Sequence, residues 1–226
     1  MAVVSRTPQV RQNSAMRLDH VSYATSHDSV IDVIQRIGSQ LGASFIDGGI
    51  HPQFGTRNFI LPLKESRYIE VVCPLDHPAA DKTPFGQLVS KKVDAGGGWL
   101  TWVVAVNNLS PIEEKLQRKA IAAHRKKPDG DELFWHQIGV LDTLDQASNP
   151  FFIEWQSDVH PSTERDSQVV LSSIEIHGDQ GSLQARYGLD ALFFQGDVQF
   201  EWIQDDNETG IESVAFMTQS GEVRID

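Results

Sequence analysis

Three side chains in otherwise apolar segments have the chemistry of metal ligands. His20 lies in LDHVSYA, Glu70 in RYIEVVCP and Glu154 in NPFFIEWQS. An ionised carboxylate in an apolar strand must be paired, bind a metal ion or face water. One neutral imidazole and two carboxylates suit a divalent ion such as zinc, iron, manganese or nickel. We therefore expect His20, Glu70 and Glu154 to bind a metal ion; the alternative is that each glutamate faces solvent.

A glycine-rich loop and an isolated histidine offer groups for binding a substrate. The loop GGIHPQFGTRN spans residues 48–58 and delivers His51, Arg57 and Asn58 just before a strand. The planar fork of Arg57 suits a substrate carboxylate or phosphate. His136 interrupts the apolar run LFWHQIGV. We assign these four side chains to substrate binding; the alternatives are turn formation, a surface arginine and, for His136, a hydrogen-bonded core histidine.

The first half of the chain predicts the order strand, helix, strand, strand, strand. Residues 17–25 alternate as a strand does, and residues 26–42 carry apolar side chains at helical spacing and end at Gly42. Three more strand-like runs follow, separated by glycine, proline or charged residues, at 43–49, 56–63 and 67–74. Side chains alternate between the two faces of a strand, so His20 shares a face with Ser22, and Glu70 with Tyr68.

The pattern then recurs, which predicts an internal repeat. Residues 99–106 predict a strand and residues 110–124 a helix, and further strands follow at 131–140 and 149–157. Aligning the two helix starts places Thr101 opposite His20 and Glu154 opposite Glu70. Thr101 is a poor metal ligand and leaves coordination positions open for water or substrate.

The repeats divide the chain into five segments. A third, shorter unit follows the second; in it Ser173 takes the place of His20, and no carboxylate matches Glu70. The predicted segments are a disordered leader over 1–15, a first βαβββ module over 16–75, a linker with a short helix over 76–98, a second βαβββ module over 99–160 and a degenerate third module over 169–226.

Composition narrows the classes of partner. The 226 residues carry 19 basic and 31 acidic side chains, a formal charge of −12, which argues against binding nucleic acid or an anionic membrane surface. No apolar window is long enough to span a bilayer. The single cysteine, Cys73, cannot form an internal disulfide, so we expect a cytoplasmic protein with a buried structural thiol. A small molecule is the expected partner.

The four segments LDHVSYA, GGIHPQFGTRN, RYIEVV and NPFFIEWQS resemble the glyoxalase-like branch of the vicinal-oxygen-chelate superfamily, over about residues 17–157. The resemblance implies an α+β fold, in which repeated βαβββ modules form cupped mixed β-sheets with helices outside. It also implies that a divalent metal ion chelates two adjacent substrate oxygens, held by ligands on the first and fourth strands of each module. His20, Glu70 and Glu154 stand at such positions, whereas Thr101 departs from the pattern.

Two functions follow from this resemblance. The first is a metal-dependent lyase, isomerase or dioxygenase that acts on a small oxygenated metabolite, with Glu154 also able to leave the metal and act as a base. The second is a non-catalytic protein that sequesters a small molecule in a cup lined by tryptophans, although aromatic side chains at strand spacing more often form core. Two modules in one chain can close a cup, so either a monomer or a homodimer is expected.

Overall fold

The computed structural model describes residues 16–204 and 208–226; the leader predicted over 1–15 lies outside the described residues. The first module has the predicted element order. Its five elements are β1 (Met16–Ala24), α1 (Val30–Leu41), β2 (Ile46–His51), β3 (Thr56–Leu63) and β4 (Arg67–Pro74). Helix α1 ends at Gly42, whose φ of 62° is the left-handed conformation that glycine adopts without strain. Strand β4 is buried on both faces because α1 covers its outer side and the sheet interior its inner side.

Two helices connect the modules, α2 (Pro78–Lys82) and α3 (Pro84–Asp94). Each begins with a proline, and each has a side chain that caps its first turn: the His77 ring accepts a hydrogen bond from the Ala79 N–H, and Thr83 accepts one from Gly86. Helix α3 packs Phe85, Leu88 and Val89 against the β-sheet. None of the helices within the described residues is long and apolar enough to cross a membrane.

The second module contains a strand that the sequence prediction missed. Its elements are β5 (Gly98–Val106), α4 (Ser110–Leu116), β6 (Ile121–Lys126), β7 (Glu132–Ile138), α5 (Val140–Asp145) and β8 (Phe151–Trp155). The helix predicted over 110–124 is therefore wrong in its second half. Gln117 adopts a left-handed φ of 52°, which ends α4 and lets the chain turn into β6.

The eight strands close into a barrel with the order β1-β4-β3-β2-β6-β7-β8-β5. Strands β1 and β4 pair in parallel, as do β5 and β8, and these two pairs meet where β1 lies antiparallel to β5. Strand β2 approaches β6 very closely, since a Cβ added at Gly49 would lie 2.0 Å from the carbonyl oxygen of Lys126. The predicted α+β fold of curled βαβββ sheets is confirmed.

A second sheet packs against the outside of the barrel. A 3₁₀ turn (Pro161–Thr163) leads to β9 (Val170–His177), α6 (Gln180–Tyr187), α7 (Ala191–Phe194), β10 (Gln199–Ile203), β11 (Gly210–Thr218) and β12 (Gly221–Ile225). The strand order is β10-β9-β11-β12. Tyr187 packs its ring against Phe152, and the Trp99 indole donates to the carbonyl oxygen of Ile225. These contacts bury the outer faces of β5 and β8.

Candidate active site in the barrel interior

The barrel interior contains a cavity that opens to solvent. Concave, largely apolar cavities with a few polar groups are the usual sites for small molecules. Polar side chains form one part of its lining: His20, His51, Asn58, Glu70, Arg125 and Gln137. Aromatic rings form another part: Phe54, Tyr68, Phe85, Trp135, Phe151 and Trp155. The cavity thus combines a few convergent polar groups with large apolar walls.

His20 is held in one orientation by Asp19. A β-bulge between Leu18 and His20 breaks the strand alternation and leaves the fully buried Asp19 beside the imidazole of His20. The Nδ1 atom of His20 lies 3.0 Å from Asp19 Oδ2, and its ring stacks on Tyr68 at 4.3 Å between centroids. Because a carboxylate only accepts hydrogen bonds, Nδ1 carries a proton and Nε2 is directed into the cavity.

Asp19 is a buried, ionised carboxylate with several donors around it. Its Oδ1 atom forms an ion pair with Arg17 at 2.6 Å and accepts hydrogen bonds from His160 Nε2 at 3.1 Å and from the Trp155 indole N–H at 3.4 Å. Burial by itself raises the pKa of Asp19, but the hydrogen bonds from the two histidines and the charge of Arg17 outweigh it and hold the pKa well below its usual range. Asp19 therefore stays charged and fixes the His20 tautomer.

Glu70 faces His20 across the cavity. Its Oε2 lies 4.0 Å from His20 Nε2 and accepts a hydrogen bond from the Ser22 hydroxyl at 2.6 Å. Its Oε1 accepts one from the Asn58 amide at 2.8 Å. Burial by itself raises the pKa of Glu70, but the interactions with His20 and His51 and the hydrogen bonds from Ser22 and Asn58 outweigh it, so the pKa lies below its ordinary value. Glu70 is a buried carboxylate held in its charged form.

A hydrogen-bonded chain extends from Glu70 to Arg125. Asn58 donates to Glu70, lies 3.3 Å from His51 Nε2 through the same nitrogen, and accepts from Arg125 Nη1 at 3.5 Å. His51 Nδ1 contacts the Thr56 hydroxyl at 2.9 Å. Burial, reinforced by Arg125, lowers the pKa of His51 to about 4, so this ring is neutral at pH 7.

Four of the residues singled out from the sequence come together here: His20, His51, Asn58 and Glu70 all line the cavity. Glu154 and His136 do not. On β8 the cavity-lining residues are Phe151, Ile153 and Trp155, so Glu154 points to the outer face, where its carboxylate accepts the Leu109 N–H at 3.0 Å.

His136 and Arg57 also lie outside the cavity. His136 pairs across the strands with Glu154 on that same outer face. Arg57 alternates with the inward-facing Thr56 and Asn58; its guanidinium forms an ion pair with Asp47 and lies over the Phe59 ring. The structure thus separates these three assigned residues, Glu154, His136 and Arg57, from the other four.

The strand register explains the misplacement of Glu154. In the first module His20 pairs with Tyr68 and Ser22 with Glu70; in the second, Val103 pairs with Phe151 and Ala105 with Ile153. Val103 and Ile153 therefore correspond to His20 and Glu70, and they have the same separation along the chain. The predicted correspondence of Thr101 and Glu154 is displaced from this register, and one residue of displacement on β8 turns a side chain to the other face.

Three polar side chains in or beside the cavity were not predicted from the sequence. Asp19 precedes His20 directly, and only the β-bulge brings the two side chains together. Arg125 lies on β6, just beyond the segment predicted as helix. Gln137, the residue after His136, lines the cavity, and its side-chain oxygen accepts the Trp135 indole N–H at 2.8 Å. Side chains alternate along a strand, so an outward-facing His136 implies an inward-facing Gln137; this was the one sequence signal for it.

The inner pair His20 and Glu70 has the donor chemistry for a divalent ion. Two donor atoms each bound at about 2.1 Å lie no more than about 4.2 Å apart, so the observed 4.0 Å lets both reach one ion. The Asp19 hydrogen bond is the outer-shell contact that typically orients a metal-binding histidine. The second module offers Val103 and Ile153 instead, so other coordination positions fall to water or substrate.

A second group of potential ligands lies on the outer sheet. His177, Glu208 and Glu212 place their ligand atoms within 4.8 Å of one another, the one such group of three among the described residues. His177 is buried and both glutamates are exposed. This group lies on the β9-β11 sheet and lines no part of the barrel cavity.

The fold and cavity define a protein of paired βαβββ modules with a small-molecule site inside a barrel. The sequence profile of the glyoxalase-like domain family matches residues 18–192. The chain therefore belongs to this family, within the vicinal-oxygen-chelate superfamily. No match was found among curated proteins.

Two solved structures are similar to this chain at low sequence identity. A hypothetical protein from Staphylococcus aureus is 16% identical with a TM-score of 0.56, over 93% of this chain and 86% of that protein. Methylmalonyl-CoA epimerase from Mycobacterium tuberculosis is 16% identical with a TM-score of 0.42, over 65% of this chain and 92% of the epimerase. The first similarity extends over both the barrel and most of the rest of the chain.

Proposed function

We propose that the barrel interior is the active site of a metal-dependent enzyme that binds a small metabolite through two adjacent oxygen atoms. One observation carries the proposal: His20 Nε2 and Glu70 Oε2 face each other at 4.0 Å in a buried cavity. The tautomer set by Asp19 leaves Nε2 without a ring proton, so both atoms are acceptors. Two buried acceptors that face each other favour a cation between them, beyond the hydrogen bonds that Ser22 and Asn58 already donate to Glu70.

The remaining residues have roles that follow from their contacts. A divalent ion bound by His20 and Glu70 would act as a Lewis acid toward the substrate oxygens. Ser22 and Asn58 hold the Glu70 carboxylate in place. His51 is a neutral imidazole in the same cavity; its pKa of about 4 makes it a weak base at pH 7, and its contact with Asn58 helps to position that amide. Glu154 has no role in this site.

A non-catalytic binding protein is the second candidate. The observation that favours it is the second module, where Val103 and Ile153 replace the ligand pair and aromatic rings line the wall. Such a cavity would hold an apolar molecule without any metal ion. Metal content separates the two candidates directly.

The test is the metal stoichiometry of protein purified without chelators, measured by inductively coupled plasma mass spectrometry. We expect about one tightly bound divalent ion per chain in the wild type and its loss in His20→Gln and Glu70→Gln. Glu154→Gln is the matched control, because it makes the same change on the other face of the barrel wall. His177→Gln reports separately on the outer-sheet group.

Two results would contradict the metal-dependent enzyme. The first is equal metal content in wild type, Glu70→Gln and Glu154→Gln, with all three folded by circular dichroism. The second is metal that disappears in His177→Gln but persists in His20→Gln. Either result would leave the non-catalytic binding protein as the better account of the cavity.

A further inference from the structure

Arg125 is a buried cation whose hydrogen bonds to neighbouring side chains are long. It is 2% exposed and is the one lysine or arginine among the described residues that line the cavity. Its Nη1 lies 3.5 Å from Asn58 Oδ1, and its Nη2 lies 3.3 Å from Glu164 Oε1. The guanidinium packs against the β2 backbone, where a Cβ at Gly48 would lie 2.6 Å from Nη1. The fold therefore reserves space for this side chain at the cavity wall.

Glu164 directly follows the 3₁₀ turn, which contacts β3 and β4. We call residues 160–164 the strap. His160 at its start bonds to Asp19, Pro161 lines the cavity, and Glu164 at its end contacts Arg125. The strap is thus connected to the two ionic groups, Asp19 and Arg125, that flank the polar side of the site.

The ion pair between Arg125 and Glu164 is longer than a usual arginine–carboxylate pair and has one contact in place of two. A guanidinium and a carboxylate pair best through two parallel hydrogen bonds of about 2.7–2.9 Å. Here one contact at 3.3 Å joins them, although both side chains are largely buried, at 3% and 13% exposure. A buried arginine paired this loosely is open to a carboxylate that can offer both oxygens.

We propose that the substrate carries a carboxylate that binds Arg125, and that Glu164 occupies this position in the free protein. The inference rests on the proposed function for its choice of site and adds the substrate class. Substrate binding exchanges the strap carboxylate for the substrate carboxylate, so the strap at Glu164 must move aside as the ligand enters. Glu70 and Asp19 already place negative charge around the cavity, and Arg125 is the group that can offset the charge of an anionic ligand.

The test compares benzoate with benzamide by isothermal titration calorimetry. The two probes share an aromatic ring that suits the cavity walls and differ in charge, and neither needs to react. We expect wild type to prefer benzoate. Arg125→Gln should weaken benzoate binding roughly tenfold or more, since a hydrogen bond to a charged group is worth about 1.5–3 kcal/mol. Glu164→Gln, which removes the internal competitor, should bind benzoate several-fold more tightly than wild type.

Three further variants make the outcome unambiguous. Arg57→Gln changes an arginine on the outer face and should leave benzoate binding unchanged. The double variant Arg125→Gln/Glu164→Gln removes both charges together, so it leaves no unpaired buried charge if Arg125→Gln alone fails to fold. Its affinity for benzoate should be as low as that expected for Arg125→Gln. Glu70→Gln should retain benzoate binding; if it loses binding while Arg125→Gln keeps it, the carboxylate binds a metal ion and the Arg125 assignment is wrong.

Two other outcomes would overturn parts of the proposal. Equal affinity for benzoate and benzamide in wild type and in Glu164→Gln overturns the carboxylate preference. Unchanged or weaker benzoate binding in Glu164→Gln overturns the internal competition and makes the ion pair purely structural. Because benzoate binding requires no turnover, and Arg125→Gln and Glu70→Gln separate the guanidinium from the proposed metal ligand, failure of this inference is distinguishable from failure of the metal-dependent enzyme.

Discussion

Replacing Asp19 with asparagine tests the arrangement on which His20 depends. Asp19 Oδ1 accepts Arg17, His160 and Trp155, while Oδ2 accepts His20 Nδ1. An asparagine oxygen can replace Oδ1, which has three donors, and its NH₂ group then replaces Oδ2 and faces His20. The His20 ring must accept at Nδ1 and carry its proton on Nε2, where it points at Glu70. Asp19→Asn should therefore reverse the His20 tautomer and remove the proposed metal-binding nitrogen.

The expected loss of stability follows from the same contacts. Breaking a buried ion pair costs about 3–5 kcal/mol. Arg17 is 33% exposed, and the asparagine oxygen retains its hydrogen bonds, so we expect about 2–3 kcal/mol. For a chain of this length that lowers Tm by roughly 4–12 °C. Because folding lowers the pKa of Asp19, the ionised carboxylate stabilises the folded state above pH 3.8, and this stabilisation is lost as the pH falls below that value. In Asp19→Asn the free energy of unfolding should therefore decline less steeply with falling pH.

Differential scanning calorimetry measures the stability change, and ¹⁵N chemical shifts of the histidine rings report the tautomer. Asp28→Asn is the matched control: Asp28 also adjoins a histidine, His27, but its side chain is fully exposed and the two lie 3.9 Å apart. It should change Tm by less than about 2 °C. An Asp19→Asn protein that keeps both the wild-type Tm and the wild-type His20 tautomer would refute the reasoning.

Two further predictions concern buried groups near the barrel wall. Burial lowers the pKa of His51 from 6.5 to about 4, so the folded state binds fewer protons than the unfolded state and stability falls as the pH drops through this range. His51→Gln should remove about 3 kcal/mol of this decline, measured by urea unfolding from pH 7 to pH 4; an equally steep decline in both proteins would contradict it. Burial raises the pKa of the Cys73 thiol to about 11, so it should react with a disulfide reagent at least about 100-fold more slowly in native protein than in urea, and equal rates would show it to be accessible.

Local patterns predicted the first module well because β1 from His20 onward, together with β4, follows the simple alternation rule. His20 and Glu70 lie on neighbouring parallel strands and face the same cavity, as their positions in LDHVSYA and RYIEVV indicate. His51 at the end of β2 and Asn58 on β3 also reach that cavity, while Arg57, next to Asn58 on β3, points outward. A shift of one residue along β3 decides whether a side chain reaches the cavity or the surface.

The second module was harder because its pairing register cannot be read from helix positions. The chain runs ten residues from His20 to the start of α1 at Val30 but only seven from Val103 to the start of α4 at Ser110, so aligning the helix starts displaces β5. Strand alternation on β8 places Glu154 on the outer face. Arg125 was missed for a related reason: the alanine-rich, charged segment around residue 120 has high helix propensity, yet pairing with β2 and β7 makes it a strand.

The two modules differ in a way that fits an anionic ligand. The first contributes His20, His51 and the charged Glu70, and the second contributes Arg125, Gln137 and half of the aromatic wall. A carboxylate at position 153, where the register would place a second metal ligand, would add another buried negative charge opposite Glu70. Arg125 would then be needed to neutralise the protein itself, and a ligand carboxylate would have no cation left to bind. Under the proposed function, apolar residues at positions 103 and 153 and the long ion pair of Arg125 have the same consequence. They leave one positive charge in the cavity for the substrate.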